Sequence, residues 1–555
     1  MKRRMSICLK LIVGLLVCAG ALSLIAAGGQ DRSGGAVTNS AANVNPPGVY
    51  PVCKTPITIT VGVPVVAQLM DWETNGQTLM YEKKGNFDLQ FEVFSGGAQE
   101  KLLIMVAGGS PLPEVLIGIN LSEELTLSLG MDGVLTNLNP YYENWAYEIP
   151  RAIEKCDKKD LMNWLKSADG NIYYIPWYFE TLTSVVPYRP WINTNWLEKL
   201  GLKSPVTTEE FRTVLEAFRD RDPNGNGRRD EQPGLSGGTM GNSLVTILMN
   251  SFVYYDCVDL LTVNNGRVEA IYTKPEYREG MRYINSLIRD GLINDDLYSI
   301  TSNPLLRARI EEETYSTVGV FNAGLAQVTS PVNEMRLEYG PMSYLKGPQG
   351  VQWVKYSTLL PQKYFFMTKD AKNPEAIFRF GDMACGESES LWNRVGELDV
   401  NWRIPLPGEK SYFEEMGYEA KIYEISTYGA VQNYNYYGAG PGIIPMGWME
   451  GFTTNDDPLN INIWMAASIK LILPNAAPDD IRVDKINLTL DEGLEIADLK
   501  LAINSYVAEN TALFVTGQKN FERDWDPYIR ELERIGLRRY LEITQSGYDR
   551  FMGRK

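Results

Sequence analysis

The chain has 555 residues, 44% hydrophobic and 11% aromatic, enough to bury more than one core and still leave rings for a cleft. Its formal charge of −16 excludes a nucleic-acid backbone as the natural partner, because that contact rests on Lys and Arg. There is no histidine, which rules out Ser-His-Asp and Cys-His nucleophile systems and His-ligated catalytic zinc; among extracellular hydrolases only a carboxylate pair survives easily.

Lys2, Arg3 and Arg4 precede an apolar run from Leu11 to Ala27, the pattern of a secretory signal peptide over residues 1–28. The protein is therefore expected to be exported, to the periplasm or cell surface. Leu24-Ile25-Ala26-Ala27 has the shape of a lipobox, but Gly28 stands where a lipid-bearing cysteine is required, so a lipid anchor is left open. Residues 29–52, rich in Gly, Ser, Ala and Asn, read as a flexible tether. Four cysteines remain beyond it: Cys53, Cys156, Cys257 and Cys385. Export permits a disulfide, but their wide spacing gives no pairing and buried free thiols fit as well.

The alternating, β-branched run Ile57 to Val65 predicts a first strand, and Phe87 to Phe94 a second. Gln99 to Ala107 predicts a helix closed by Gly108-Gly109, and Pro113 to Gly118 a short buried strand. Strand, helix, strand at this spacing points to an α/β lobe with parallel pairing. Asp169-Gly170-Asn171 turns the chain into a strand at Ile172 to Pro176, so Trp177 and Tyr178 follow its end.

Thr207 with Glu210 three residues on is a capping box, and Phe211, Val214, Leu215 and Phe218 form one apolar face before Pro223 ends the helix. The loop that follows spaces Asp222, Asn224, Asn226, Arg228 and Asp230 at positions 1, 3, 5, 7 and 9 of an EF-hand-like register, with Gly227 at position 6. Ca²⁺ takes about six to eight oxygen ligands, and the Arg228 carbonyl serves as the seventh-position donor. Pro233 occupies the twelfth position, so Glu231 is expected to supply the extra carboxylate. A solvated Asn/Gly turn without any ion is the alternative. Further on, Pro275 to Asp290, Pro374 to Met383, Glu492 to Phe514 and Trp525 to Ile535 predict amphipathic helices, and Ser316 to Phe321 a strand.

These stretches carry a resemblance. DGNIYYIP, then NTNWLEKLGLKSPVTTEEFRTVLEAFRDRDPNGNGRRDEQPG, KPEYREGMRYINSLIRDGLINDDLYS, TKDAKNPEAIFRFGDMAC and WDPYIRELERIGLRRYLEITQSGYDRF occur in family order across the mature chain. Together they resemble the bacterial extracellular solute-binding proteins of ABC importers, in the long lipoprotein and alginate-oligosaccharide-binding branch. The resemblance implies a two-lobed periplasmic-binding-protein-like (type II) α/β fold with a cleft and hinge between lobes. The lobes are expected over 53–175 plus 315–395 and over 176–314 plus 396–555. It also implies that loop 222–231 is a structural calcium site, with Asp222, Asn224, Asn226, Arg228, Asp230 and Glu231 at matching positions.

The expected function is capture of an oligosaccharide by hinge closure and delivery to membrane permease subunits, as a monomer and without catalysis. A peptide- or signal-binding receptor on the same fold, or a two-carboxylate glycoside hydrolase, are the alternatives. A sugar needs aromatic platforms and planar polar partners. Trp177, Tyr178, Trp353, Trp402, Arg403, Tyr436 and Trp448 are the candidates, with Trp72 as a further ring and Asp71, Glu73, Glu180 and Arg189 as further polar groups. The Tyr- and Gly-rich run Asn433 to Gly442 reads as a cleft loop, with Glu450 just beyond Trp448.

Overall fold

The computed structural model describes residues 40–238, 243–296, 299–324, 333–426, 430–453 and 460–554. The signal peptide, the lipobox and most of the expected tether lie outside the described residues. The tether is shorter than expected: Val44 bridges Cys53, and Val44, Val52 and Cys53 are buried against the first core. Those apolar side chains outweigh the surrounding Gly, Asn and Pro. Cys53, Cys156, Cys257 and Cys385 are all free and buried. Among the described residues no helix is long and apolar enough to cross a membrane.

The chain builds a first sheet with β1 (Ile57–Pro64), β2 (Phe87–Phe94), β3 (Val115–Ile117) and β4 (Tyr174–Phe179), then crosses over to β5 (Pro190–Asn193) and β6 (Gln232–Leu235). A hairpin of β7 (Leu261–Asn264) and β8 (Arg267–Ala270) follows, and then β9 (Val318–Asn322) and β10 (Tyr339–Pro341). The chain returns through β11 (Gln362–Met367), forms β12 (Trp402–Arg403) and β13 (Ile422–Glu424), and ends its strands with β14 (Gly442–Ile444) and β15 (Phe452–Thr453).

The first sheet has the order β14-β4-β11-β3-β1-β2 and the second β10-β5-β9-β6. In the first, β11 alone runs antiparallel to its neighbours, and β1 pairs with β2 in register from Ile57–Phe87 to Pro64–Phe94. Alternation drives β1 inward, with Ile59, Val61 and Val63 buried. A Cβ at Gly62 would lie 2.9 Å from the Leu116 side chain, so a larger residue there would push that side chain aside.

The sheets redraw the expected lobes. Strand β4 extends past residue 175 within the first sheet, and Gly442–Ile444 joins the first sheet although it was expected in the second lobe. Val318–Asn322, expected in the first lobe, pairs with β5 and β6 in the second sheet. Pairing between distant segments sets these memberships, and local pattern does not encode it.

The second sheet is covered by helices whose apolar faces follow the sequence. Thr208–Asp220 begins with the expected capping box and buries Phe211, Val214, Leu215 and Phe218. Pro275–Arg289 buries Tyr277, Met281, Ile284 and Leu287. Leu490–Val515, Trp525–Ile535 and Leu537–Phe551 pack into the same core through Ile503, Val507, Phe514, Tyr528 and Tyr540.

Candidate ligand cleft and metal loop

Because β2, β1, β3, β4 and β14 run parallel, Phe94, Pro64, Ile117, Phe179 and Ile444 all end at one edge of the first sheet. In open α/β sheets the crevice beyond the carboxyl ends is where ligands bind. The first crossing segment leaves from this edge after Phe179, and the chain that follows β14 carries Trp448.

An aromatic cluster has formed there. Trp177, Trp402, Ile422, Ile444 and Phe452 make its buried part, and Phe179, Tyr364, Tyr412 and Trp448 stay half-buried around it. Trp177 stacks on Phe179 at 6.0 Å and 16°, while Trp448 meets Trp402 edge-on at 6.4 Å. Lys421 sits 5.1 Å over Trp448 and Arg394 5.8 Å from Phe179. Burial raises the Glu424 carboxyl above its ordinary value, and the Arg394 guanidinium opposes that rise. Half-exposed rings beside a cation and a desolvated carboxylate can offer apolar faces and hydrogen-bonding groups to one ligand.

The predicted residues divide. Trp177, Trp402 and Trp448 come together in this cluster. Tyr178 and Tyr436 lie apart from it, packed in the first core. Since β4 runs on through Phe179, alternation sends Trp177 and Phe179 to one face and Tyr178 to the other, where its hydroxyl donates to Glu180 at 3.2 Å. Tyr436 exchanges a 2.7 Å hydrogen bond with Thr78 and packs 4.8 Å from Trp72. Trp353 lies outside the cluster; its amide bonds the Asn250 carbonyl. Arg403 is committed to Glu409 by two bonds of 2.7 and 2.8 Å and lies over Tyr423 at 3.7 Å.

The Asn433–Gly442 segment is pinned, not free. The Gln432 amide donates to the Gln68 carbonyl at 2.8 Å and the Gln432 carbonyl accepts the Met70 amide at 3.0 Å, while Asn433 Oδ1 accepts from the Asp71 amide at 3.1 Å. Phe179, Tyr364, Tyr412, Arg394 and Glu424 were missed. Phe179 was legible from its spacing of two from Trp177; the others lie on strands, a helix and a turn that only tertiary packing brings together.

The 222–231 loop folds back on itself. Asp222 takes a left-handed φ of 47°, and Gly225 and Gly227 stand at 77° and 73°. The Asp222 carboxylate accepts the amides of Gly225 and Asn226, both at 3.1 Å, and of Gly227 at 2.9 Å. Asn224 and Asn226 both donate to Asp230, and Tyr315 adds its hydroxyl at 3.1 Å. Burial pushes Asp230 up, but these three donors outweigh it and hold the carboxyl below its usual range. The Arg228 amide donates to Asn226 Oδ1 at 2.7 Å.

Glu231 Oε1 is buried without a hydrogen-bond partner. Its carboxyl is raised by burial above all, and the Asp230 and Asp222 charges add to the rise. Counted by acidic, Cys and His side chains alone, no group of three or more among the described residues converges on a metal position. The loop's donors are a mixed set, with two Asn amides and the Arg228 carbonyl beside the carboxylates. Crowded carboxylates with an orphaned oxygen fit a hard divalent cation.

Two sheets joined by crossing segments, with a crevice edge on the first, define a two-lobed solute-binding protein of the type II periplasmic class. The chain belongs to the bacterial extracellular solute-binding proteins, whose family profile matches residues 65–387. It is 26% identical to the fructooligosaccharide ABC transporter substrate-binding protein FusA of Streptococcus pneumoniae, over 85% of this chain and 86% of that one. In structure it resembles a FusA EF-hand mutant bound to fructo-nystose, with a TM-score of 0.70 and 23% identity over 90% of this chain and 100% of that one. It also resembles a solute-binding protein of a human-milk-oligosaccharide-binding ABC transporter from Bifidobacterium longum infantis. That match has a TM-score of 0.73 and 19% identity over 90% of this chain and 100% of the other.

Proposed function

We propose that this protein is the extracytoplasmic binding component of an ABC importer, closing on an oligosaccharide and presenting it to permease subunits. The half-buried aromatic cluster at the crevice edge of the first sheet carries the reading. Trp448 and Phe179 offer ring faces to sugar, and Arg394 and Glu424 offer polar contacts to its hydroxyls. The related fructooligosaccharide-binding protein supports the same ligand class. The lobes are the two halves built on the six- and four-stranded sheets, and closure is favoured because the closed form gives a ligand contacts to both. The protein acts as an exported monomer.

It carries out no chemistry on the sugar. Glu450 gives both oxygens to backbone amides, of Leu182 and Gly447, and Glu180 accepts four donors, so neither serves as an acid–base group. Asp222, Asn224, Asn226, Arg228, Asp230 and Glu231 hold a structural Ca²⁺ that stabilises the second lobe; when bound, the ion supplies the positive charge these carboxylates lack. The EF-hand of the fructooligosaccharide-binding relative supports this assignment.

The test is a thermal-shift screen of the mature protein against oligosaccharides and peptides, with and without chelator. A ligand at a hundredfold excess over Kd adds about 2.7 kcal/mol to stability. A shift with one glycan class and none with peptides is expected. A shift with peptides alone would replace this reading with a peptide receptor.

A further inference from the structure

Two buried carboxylates and one buried guanidinium bracket the first crossing between the sheets. Glu180 is 2% exposed and Glu450 1% exposed, and neither has a cation within salt-bridge distance among the described residues. Glu180 Oε1 accepts from the Lys158 amide at 3.1 Å and the Tyr178 hydroxyl at 3.2 Å. Its Oε2 accepts from the Asp157 amide at 3.0 Å and the Met446 amide at 2.8 Å. Glu450 takes the Leu182 amide at 2.7 Å and the Gly447 amide at 2.9 Å.

Every one of these donors except Leu182 belongs to the first-sheet side. Tyr178 lies in β4, and Met446 and Gly447 follow β14; Asp157 and Lys158 follow the helix Glu148–Lys155, which packs in the first core. The crossing chain is thus bolted to the first half as far as Leu182.

The other end is fixed to the second half. The Arg189 carbonyl accepts the Ala323 amide at 3.0 Å just past β9, and Tyr188 and Pro190 accept from the Tyr344 hydroxyl and the Met342 amide. Yet the Arg189 side chain, 3% exposed, reaches back to donate to the Thr183 carbonyl at 2.6 Å. Between the two fixtures lies the four-residue helix Leu182–Val185, ended by Val186 at φ −123° and ψ 71° before Pro187, which has no amide to continue it. Around it Leu182, Val185 and Val186 pack with Ile247, Tyr344, Val354 and Ile469 in an apolar cluster of their own. Apolar packing is non-directional and slides more readily than hydrogen bonds reorient.

We infer that the closing rotation pivots within Thr183–Pro187, and that Glu180 and Arg189 are positioning residues that fix the two ends of this pivot. They set the open–closed balance without touching ligand. The inference rests on the closure mechanism proposed above. Loosening either fixture lowers the share of molecules poised to bind, and apparent affinity falls by that fraction.

The experiment places spin labels on Glu143→Cys and Lys203→Cys, two exposed positions on opposite halves, and measures their distance distribution without ligand. In the mature protein, Cys53, Cys156, Cys257 and Cys385 are buried and take no label. Arg189→Met is expected to broaden or shift the distribution and to raise Kd for the glycan found in the screen by about 3–10-fold. Arg189→Lys, which can still donate to Thr183, is expected to restore both readouts, and Glu180→Gln to shift the distribution from the other end. If Arg189→Met lowers the melting temperature while distribution and Kd stay as in the parent, the residue is structural only and the inference fails. The distance readout needs no sugar. A protein that binds no glycan but responds in distance would sink the oligosaccharide reading and leave the pivot standing.

Discussion

Trp448 and Trp353 are both half-buried tryptophans, yet only Trp448 shares a cluster with six other aromatic side chains and a nearby cation. A ring that stacks on a sugar contributes on the order of 1 kcal/mol beyond the area it buries. Trp448→Ala should therefore weaken oligosaccharide binding by about tenfold in calorimetric titration, once its lost contact area is included. Trp353→Ala should leave Kd unchanged; the reverse pattern would place the ligand elsewhere. The metal loop gives a second residue-scale test. Asp230 gathers Asn224, Asn226 and Tyr315 onto one carboxylate, so Asp230→Ala should abolish any rise in melting temperature on adding calcium. A rise that survives the substitution would remove this loop from the calcium assignment. The spacing of the loop's oxygen-bearing side chains was readable because they all lie within ten consecutive residues. The pairing of Trp402 with Trp448 was not readable, because strands far apart in sequence create it.

Helices show how much local chemistry decides. Leu490–Val515 opens on a capping box of Thr489 and Glu492, and Arg550 from the last helix grips the same glutamate at 2.9 and 3.0 Å. Burial works to raise Glu492, but Arg550, the Thr489 amide and Ser546 outweigh it and bring the carboxyl down to about 2. A depressed carboxylate stabilises the fold above its unfolded pKa of about 4.3, and that contribution is lost as pH falls toward 2. Glu492→Gln should cost about 1 kcal/mol in urea unfolding at pH 7, allowing for solvent screening, and progressively less as pH falls to about 2. An equal cost at both ends of the range would mean that the charge contributes nothing. The capping motif was plain in the sequence, whereas the second grip from Arg550 needed the last helix to fold back beside the first turn.

At the scale of the whole molecule the two sheets are joined by crossing segments. Closure on ligand predicts a smaller radius of gyration in small-angle scattering when a saturating glycan is added, with chelation of calcium changing thermal stability but not that compaction. Ligand-bound and free scattering curves that superpose would remove hinge closure from the mechanism. A chelator that abolished binding without moving the melting temperature would overturn the purely structural role of the ion.

By itself the sequence determined the class of the protein. Its alternating and helical periodicities, caps and glycine turns are local, so the α/β elements, the Asp/Asn-rich loop 222–231 and the exclusion of histidine chemistry could be read along the chain. The tertiary structure alone decided which strands belong together. Val318–Asn322 went to the second sheet and Gly442–Ile444 to the first because partner strands, not neighbours in sequence, satisfy their backbone groups. It likewise sent Tyr178 and Tyr436 inward and left Phe179 and Trp448 at the crevice. A side chain's exposure depends on what packs against it from afar, and that information resides in no single stretch of residues.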